Sequence, residues 1–403
     1  MAVRVICIHI GARAHYLLPN ALEKKNSLVT LITDTWVSSG LLRLILSKSP
    51  IRMVKSFANR FSAAIPSKRV SSFSIRFSLI EIYLRLCKLS AWQLIVRRNY
   101  FFQRIAIDKF CRLPTQHAVL GISYTSLDIF RVAKMRDQKT ILFQIDPGYK
   151  EEQIVADVAN MQAGRFKTRW KPAPSDYWMR WKEECMLADV IMVNSEWTKL
   201  GLVEQDIDHH KIQILPLPFQ VESKHINFTR QYPDKFTVDR PLRCLFLGTL
   251  TLRKGIHIVL DAAAKLAGYP VEFILVGENE LDASLLNADN VKYKGVVSRS
   301  ETDFYYQHSD VFLFPTLSDG FGLTQLEALS WQLPVIASKY CGEVIVNNFN
   351  GIILEDCNTD SLVKAIVECL NDIEYLKTIS SRALETVGQF STDKFAEDLI
   401  KLL

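Results

Sequence analysis

Two series of alternating strands and helices, separated by a proline-containing segment, constrain the fold of this chain more than any other feature. The chain opens with a predicted strand at Val3–Ile10, Gly11, a predicted helix over Ala21–Lys25 and a second strand at Leu28–Thr33. A similar alternation resumes after Leu215–Leu242, a segment that contains four prolines. Strands that alternate with helices form a parallel sheet covered by helices on both faces. We therefore predict an α/β protein with two Rossmann-like, doubly wound domains.

The length of 403 residues suits two domains of roughly 150–200 residues each. We place the domains at 1–225 and 226–387, and we expect a C-terminal helix at 388–403 that crosses back to the first domain. The remaining predicted strands are Ala118–Ile122, Thr140–Gln144 and Val190–Val193 in the first half, and Cys244–Leu247, Glu272–Val276, Val291–Lys294, Val311–Phe314 and Val335–Ala337 in the second. Predicted helices include Leu127–Met135, Glu196–Val203, Ile256–Leu266 and Leu323–Ser330. Ligands of such pairs of domains bind in the cleft where the carboxyl ends of the strands face each other.

The segment 314–327 contains the most informative motif. It is a predicted strand, a turn that contains Gly320 and Gly322, and a predicted helix that begins near Leu323. Glycines let a backbone approach a ligand closely, and the first turn of a helix offers free N–H groups and a positive dipole end. This pattern favours a diphosphate site, with Asp319 near the hydroxyls of an attached sugar and Glu327 near a ribose. A glycine turn with two solvated carboxylates is the alternative.

A second loop, Gly248–Gly255, also follows a predicted strand and precedes a helix. Its Arg253 and Lys254 are suited to neutralising a diphosphate and to stabilising the negative charge that develops on it as a sugar leaves. A basic pair in a loop is usually only solvated. The presence of this loop beside the glycine-containing loop in one α/β domain favours a binding site.

The C-terminal half resembles the retaining glycosyltransferases of family 4, which have the GT-B fold. The resemblance covers roughly residues 115–385. It rests on an acid and a glutamate separated by seven residues (Asp319 and Glu327), on Gly248-Thr249-Leu250 with Lys254-Gly255, on Leu333–Ser338 with Asn350-Gly351, and on Asp189–Thr198. In the family the first acid is usually Glu and the loop carries Arg where this chain has Thr249, for which we expect Arg253 to substitute.

The resemblance implies a set of site residues. Lys254, Arg253 and Asp319 are the expected catalytic residues. The residues expected to bind the donor are Gly11, Gly248, Thr249, Arg253, Lys254, Asp319, Gly320, Phe321, Gly322, Leu323, Thr324 and Glu327. Acceptor-side candidates follow predicted strands of the first domain: Arg13, His15, Ser123, Tyr124 and Asp146. His117 precedes its strand and is not a candidate.

The implied activity is transfer of a sugar from a UDP- or GDP-linked donor to an acceptor hydroxyl with retention, in polysaccharide or glycolipid assembly. The acceptor is a saccharide or a lipid-linked sugar. A nucleotide-sugar 2-epimerase of the same fold, and a non-catalytic nucleotide-sugar-binding protein, remain alternatives. We see no metal-binding motif such as DxD or HExxH, no P-loop and no GxGxxG, and we expect neither a metal nor a cofactor.

The eight cysteines are scattered without a CxxC pair, which favours reduced thiols in a cytoplasmic protein.

Residues 41–112 contain 15 Lys and Arg but two acids, a charge of +13 in a chain whose net charge is +6. Aromatic residues interleave with these cations at Phe57, Phe61, Phe73, Phe77 and Trp92. We expect a basic helical insertion that docks on the anionic inner face of the cytoplasmic membrane. A solvated helical face is the alternative, and no nucleic-acid-reading motif is present.

Overall fold

The computed structural model describes residues 3–49 and 52–403; the side chains of residues 52, 53 and 56, including that of Arg52 in the basic segment, are not among the described ones. The described residues form two parallel sheets, one in each half of the chain. The predicted class of two Rossmann-like, doubly wound domains is confirmed.

The N-terminal sheet has seven parallel strands in the order β3-β2-β1-β4-β5-β6-β7. The strands are β1 Val5–Ile8, β2 Leu28–Thr33, β3 Val70–Ser72, β4 Ala118–Ile122, β5 Thr140–Gln144, β6 Val190–Val193 and β7 Ile212–Ile214. The helices of this half are α1 Leu17–Lys24, α2 Gly40–Ser47, α3 Arg52–Phe57, α4 Ser74–Leu86, α5 Ala91–Phe110, α6 Leu127–Met135, α7 Tyr149–Met161, α8 Ser175–Leu187 and α9 Glu196–Val203. The strand order reverses between β1 and β4, which is where such sheets open a crevice for ligands.

The C-terminal sheet has six parallel strands in the order β10-β9-β8-β11-β12-β13. Its strands are β8 Leu242–Leu247, β9 Val271–Val276, β10 Val291–Gly295, β11 Val311–Phe314, β12 Val335–Ala337 and β13 Gly351–Ile353. The helices are α10 Ser223–Ile226, α11 Ile256–Lys265, α12 Arg299–His308, α13 Leu323–Ser330, α14 Thr359–Asn371, α15 Ile373–Ser381, α16 Ala383–Gly388 and α17 Thr392–Leu402. This sheet reverses its order between β8 and β11.

The central strands are apolar along their whole length because helices cover both faces of each sheet. All four residues of β1 and of β11 are buried. Each domain therefore has its own core, and the loops at the carboxyl ends of the strands are left to form the cleft.

The basic segment is more than an insertion. It supplies α2 to α5, but also β3, which pairs with β2 through Leu31 and Val70 and forms the edge of the sheet. Three strands were not predicted, namely β3, β7 and β13. Each has three residues, and three positions are too few to distinguish a strand from a loop by periodicity.

Helix α17 packs against the N-terminal domain although it ends the chain. Its Phe395 and Leu399 are buried in one cluster with Val5 and Leu22, and Lys25 forms an ion pair with Glu397 at 3.3 Å. The chain thus passes between the domains twice, once between β7 and α10 and once between α16 and α17. The two crossings contact each other, since the Phe219 N–H donates to the Phe390 carbonyl at 2.7 Å.

All eight cysteines are free thiols. In the part of the chain that the structure describes, no helix combines the length and the apolar character needed to cross a bilayer.

Candidate active site

A cavity of about 380 Å³ lies where the two sheets face each other. The N-terminal domain lines it with residues that follow β1 and β6, among them His9, Arg13 and Asn194. The C-terminal domain contributes Lys254 and Asp319 together with the segment 321–324. The cavity thus brings together residues from both of the loops that the sequence singled out.

Lys254, Arg253 and Asp319 form one charged cluster, of which Lys254 and Asp319 line this cavity and Arg253 lines a neighbouring one. The Lys254 ammonium donates to the Asp319 carboxylate, and Arg253 Nη1 lies 3.7 Å from the same oxygen. Burial of Asp319 would raise the pKa of its carboxyl, but Lys254 and Arg253 outweigh that effect and hold the pKa below its usual value. The cluster therefore carries two cations and one anion, so its net charge favours an anionic ligand.

The start of α13 closes one side of the same cavity. Gly322 has a φ of +82°, and a Cβ there would lie 2.5 Å from the Phe314 ring, so the turn into the helix requires glycine. Leu323 and Thr324, the first two residues of the helix, line the cavity beside the buried Phe321. The N–H groups of a first helical turn have no partner within the helix, and they suit a phosphate.

Gly320 serves a different purpose from the predicted close approach to a ligand. A Cβ at Gly320 would lie 1.9 Å from the Ile145 carbonyl oxygen of the other domain, and the Gly320 carbonyl accepts a hydrogen bond from Ser195 Oγ at 2.6 Å. Glycine is required here because the two domains meet backbone to backbone. The sequence does not reveal this contact, because Ile145 lies 175 residues before Gly320.

Glu327 lines an adjoining cavity of about 330 Å³ together with His15, Arg299 and Tyr306. The Tyr306 hydroxyl donates to Glu327 Oε2 at 2.9 Å, which fixes the carboxylate. An ionised carboxylate can accept further hydrogen bonds, so it retains the capacity to bind a pair of vicinal hydroxyls. Leu323 lines both cavities, and they are therefore parts of one cleft.

The loop after β1 is strained. Ala14, His15 and Tyr16 all have φ between +44° and +61°, a region that residues other than glycine rarely adopt. Arg13 lines the charged cavity, and burial lowers the pKa of its guanidinium. His15 is exposed and its Nε2 lies 3.0 Å from Arg299 Nη1 across the cleft.

Gly11, Gly248 and Thr249 lie less directly at the cavities than predicted. The Gly11 N–H already donates to Asp34 Oδ1 at 2.8 Å, and a Cβ there would lie 2.8 Å from Arg60. The Gly248 N–H donates to the Val276 carbonyl, and Thr249 is exposed. These two amides are therefore committed to the protein's own loops.

Tyr124 and Asp146 meet at the carboxyl ends of β4 and β5. The Tyr124 hydroxyl donates to Asp146 Oδ1, which also accepts from Gln144 Nε2 and the Gly148 N–H, each at 3.0 Å. Burial raises the pKa of the Asp146 carboxyl in spite of these hydrogen bonds. Ser123 is fully buried, so of the three candidates in this region Tyr124 and Asp146 are the two that line a cavity.

Two residues of the site, Glu151 and His9, were not predicted from the sequence. Glu151, in the first turn of α7, accepts from Ser318 Oγ at 2.9 Å and lies 3.5 Å from Arg253 Nη1. Burial raises the pKa of Glu151 to about 7. His9 is fully buried at the end of β1, and burial lowers the pKa of its imidazole to about 4. Both residues follow a strand closely, which was the available signal.

A different group of potential metal ligands lies away from the cleft. Among the described residues, Asp208, His209 and His210 place their ligand atoms within 4.8 Å of one another. All three are exposed and precede β7, so they lie at the end of the sheet opposite to the cleft. The sequence search for metal motifs had not predicted this group.

Comparison with solved structures assigns the architecture. Over 99% of both chains, the protein superposes on HepE of Anabaena in complex with UDP with a TM-score of 0.63 at 14% identity. Sucrose-phosphate synthase of Thermosynechococcus elongatus gives a TM-score of 0.67 at 16% identity, over 99% of this chain and 98% of that one. The protein has the two-domain GT-B fold that the sequence predicted.

The C-terminal half is similar in sequence to known glycosyltransferases. Residues 229–386 match the family described as "Glycosyl transferases group 1". The capsular polysaccharide biosynthesis glycosyltransferase CapM of Staphylococcus aureus is 28% identical over 38% of this chain and 43% of its own length. The N,N'-diacetylbacillosaminyl-diphospho-undecaprenol alpha-1,3-N-acetylgalactosaminyltransferase of Campylobacter jejuni is 27% identical over 41% and 45%. Each of these two matches spans less than half of the relative's own length.

Proposed function

We propose that the protein is a glycosyltransferase that transfers a sugar from a nucleotide-sugar to an acceptor hydroxyl with retention of anomeric configuration. The cluster of Arg253, Lys254 and Asp319 beside the first turn of α13 carries this proposal. It offers cations and N–H donors at one point of the cleft between the domains, as a diphosphate requires. Retention rests on the motif resemblance described above.

In this proposal the acceptor oxygen forms a bond to the anomeric carbon as the bond from that carbon to the diphosphate breaks. The electron pair of the broken bond leaves with the nucleoside diphosphate, and the proton of the acceptor hydroxyl passes to the departing diphosphate oxygen. Arg253 and Lys254 stabilise the charge that develops on the diphosphate, and Glu327 holds the ribose. Asp319 orients the Lys254 ammonium and contacts hydroxyls of the donor sugar.

The donor is a UDP- or GDP-linked sugar, and the acceptor is a saccharide or a lipid-linked sugar. The solved HepE structures hold UDP and UDP-glucose, and the Campylobacter relative is named for a diphospho-undecaprenol substrate. The test is a thermal-shift titration with UDP, GDP and ADP, because a ligand that binds only the folded state raises the melting temperature. A shift with UDP or GDP is expected; no shift with any nucleotide would contradict the proposal.

Turnover without acceptor separates this activity from its alternatives. A transferase releases the donor sugar slowly into water, a 2-epimerase yields the free 2-epimer, and a non-catalytic protein binds the donor without turnover. Once an acceptor is found, NMR of the product gives the anomeric configuration.

We also propose that no divalent ion is required, since cations of the chain occupy the expected diphosphate site. Activity that is lost in excess chelator and restored by Mg²⁺ or Mn²⁺ would contradict this.

We further propose that the N-terminal domain docks on an anionic membrane surface. The predicted aromatic contacts are wrong in detail: Phe77 is buried, Phe61 packs against Trp36, and Trp92 lines the cleft. The exposed apolar residues are instead aliphatic, and α4 places Ile75, Leu79, Ile82 and Leu86 on one face with exposed fractions of 81, 62, 49 and 76%. Basic side chains flank them, which fits a helix lying at the headgroup boundary.

A further inference from the structure

A cavity of about 290 Å³ adjoins the proposed donor site, and five aromatic residues line it. The rings belong to Trp92, Trp170, Tyr177 and Trp178, with Tyr124 at the inner end. They come from α5, from the segment between α7 and α8, from α8 and from the loop after β4. Four parts of the N-terminal domain thus bring large rings to one space that the proposed chemistry has not used.

Hydrogen bonds of the indole nitrogens and contacts between the rings hold these side chains in place. The Trp92 indole N–H donates to the Lys171 carbonyl at 2.9 Å, and the Trp178 N–H donates to Glu152 Oε1 at 2.8 Å. Tyr124 and Tyr177 stack with ring centroids 5.2 Å apart. Rigid rings whose polar atoms are already satisfied present apolar faces. Such faces suit the C–H face of a pyranose ring.

The inner end of the cavity is polar and mainly acidic. Asp146, Glu151, Glu152 and Glu280 are the acidic residues of its lining, and Arg253 is the basic residue of that lining. Arg13, which lines the donor cavity, also acts on the Asp146 carboxylate electrostatically. The Arg253 guanidinium is already paired, because its Nη1 lies 3.5 Å from Glu151 and 3.7 Å from Asp319. Carboxylates accept hydrogen bonds from hydroxyl groups but repel another carboxylate. This end therefore selects a neutral, hydroxyl-rich ligand.

The cavity also touches the proposed reaction centre. Arg253 lines this cavity, whereas the next residue, Lys254, lines the donor cavity. In the same way, Asp146 lines this cavity and the preceding residue, Ile145, lines the donor cavity. A hydroxyl held beside Asp146 would therefore lie next to the charged cluster that contains Lys254.

We propose that this cavity binds the accepting end of an uncharged saccharide and discriminates against uronic acids. The sugar ring packs on the tryptophans, its hydroxyls donate to Asp146, Glu151 and Glu280, and one hydroxyl points to the donor site. The inference rests on the proposed transferase function and adds the class of acceptor. It follows from two observations, the aromatic walls and the excess of carboxylates at the inner end.

Saturation-transfer difference NMR on the UDP-saturated protein tests the proposal with matched probes. The pairs are methyl β-glucoside with methyl β-glucuronide, and methyl β-galactoside with methyl β-galacturonide. We expect both neutral glycosides to bind at least tenfold more tightly than their uronides. Trp170→Ala, which removes a ring from an irregular segment, should weaken the neutral probes, whereas the exposed Tyr269→Ala should not. Glu280→Gln should reduce the difference in affinity between the neutral glycoside and the uronide of each pair.

Equal binding of both members of a pair, no binding of either, or unchanged binding in Trp170→Ala would overturn the proposal. The thermal shift with UDP is read separately on the same samples. A wild-type protein that UDP fails to stabilise contradicts the transferase itself. A protein that UDP stabilises but that does not select neutral sugars contradicts only the acceptor inference.

Discussion

Lys254 illustrates how much of the proposed chemistry depends on single side chains. Its ammonium is held by the Asp319 carboxylate in the unliganded site, so it is already in place when a donor arrives. A diphosphate would compete with Asp319 for this cation. The residue pair therefore positions a charge without requiring a large movement of the lysine.

We predict that Lys254→Ala lowers transfer or donor hydrolysis by about 100-fold or more, the range found when a group that stabilises developing charge is removed. The measurement is initial rate at saturating donor. Lys265→Ala, at an ammonium that pairs with Asp360 on an exposed helix surface, is the matched control. Unchanged turnover in a folded Lys254→Ala protein would remove Lys254 from the mechanism.

Glu327 is predicted to bind the donor without titrating in catalysis. Glu327→Gln keeps the size of the side chain and its contact with the Tyr306 hydroxyl, but a neutral amide accepts fewer hydrogen bonds from a ribose. Affinity for UDP should fall while the pH dependence of the rate keeps its shape. Loss of one limb of that pH profile would mean that Glu327 acts as an acid or a base.

Glu151 is predicted to make stability depend on pH. Its pKa is about 7 in the folded protein against 4.5 for the free group, so the folded state binds more protons between those values. Stability therefore falls as pH rises through this window. Glu151→Gln cannot ionise, so its melting temperature should rise relative to wild type between pH 5 and pH 8, by an amount equivalent to roughly 1–3 kcal/mol. Parallel curves of melting temperature against pH for the two proteins would refute this. The exposed Glu374→Gln is the control and should follow the wild-type curve.

At the scale of elements, α4 is unusual because one of its faces is buried and the other is an exposed aliphatic stripe. Phe77 and Leu84 point into the core, while Ile75, Leu79 and Leu86 are exposed. Arg76 and Arg85 on the same helix have exposed side chains. This arrangement is the one that the proposed docking on a membrane surface requires.

We predict that the protein sediments with anionic vesicles at low salt and remains free with neutral ones. Each engaged Lys or Arg contributes about 1 kcal/mol, and added salt screens this attraction. Ile75→Ser with Leu79→Ser should reduce binding at least about tenfold, since both side chains lose apolar contact with the lipid. Val238→Ser, at an equally exposed valine, should leave binding unchanged. Equal sedimentation with both vesicle types would exclude this role.

The elements that could be predicted from sequence are those with strong local signals. Strands such as Ala118–Ile122 and Val311–Phe314 were located to the residue because every position in them is apolar. Helix α1 begins at Leu17 and not at Ala21, because its first turn follows a strained loop with no capping residue. The short strand β3 depends on pairing with β2, and no local pattern reveals such a partner.

The candidate site could be predicted in part, because some of its residues also have local sequence signals. Loops after strands were identifiable, so Lys254, Asp319 and Asp146 were found. Glu151 and Trp178 lie on helices that close the cleft from the other domain, and only the folded arrangement places them near the cluster. The double role of Gly320 likewise depends on a contact between domains.

At the scale of the whole molecule, we predict that Gly320→Ala separates the domains without unfolding either. The three atoms nearest to the added Cβ all belong to the N-terminal domain, namely Ile145 O and C and Asn194 Nδ2. The variant should lose donor affinity and turnover, and its radius of gyration in solution scattering should increase, while its melting temperature changes little. Gly388→Ala, where a Cβ would meet no atom within 4 Å, should behave as wild type. An unchanged radius with full activity would contradict this.

The hydrogen bond from Phe219 to the Phe390 carbonyl has a consequence for how the cleft can open. Both chain crossings lie at this one edge, so rotation about a single axis through it leaves every covalent connection unstretched, whereas sliding the domains past each other strains two segments at once. The cavity that Glu327 lines is also lined by Leu217, Pro218 and Phe219 of the first crossing, so it lies beside the axis and changes little. The cavity that contains Trp92 and Trp178 is not lined by the crossings, so the rotation changes it more. Under the proposed function, one small rotation would admit and release saccharides while the nucleotide stays bound.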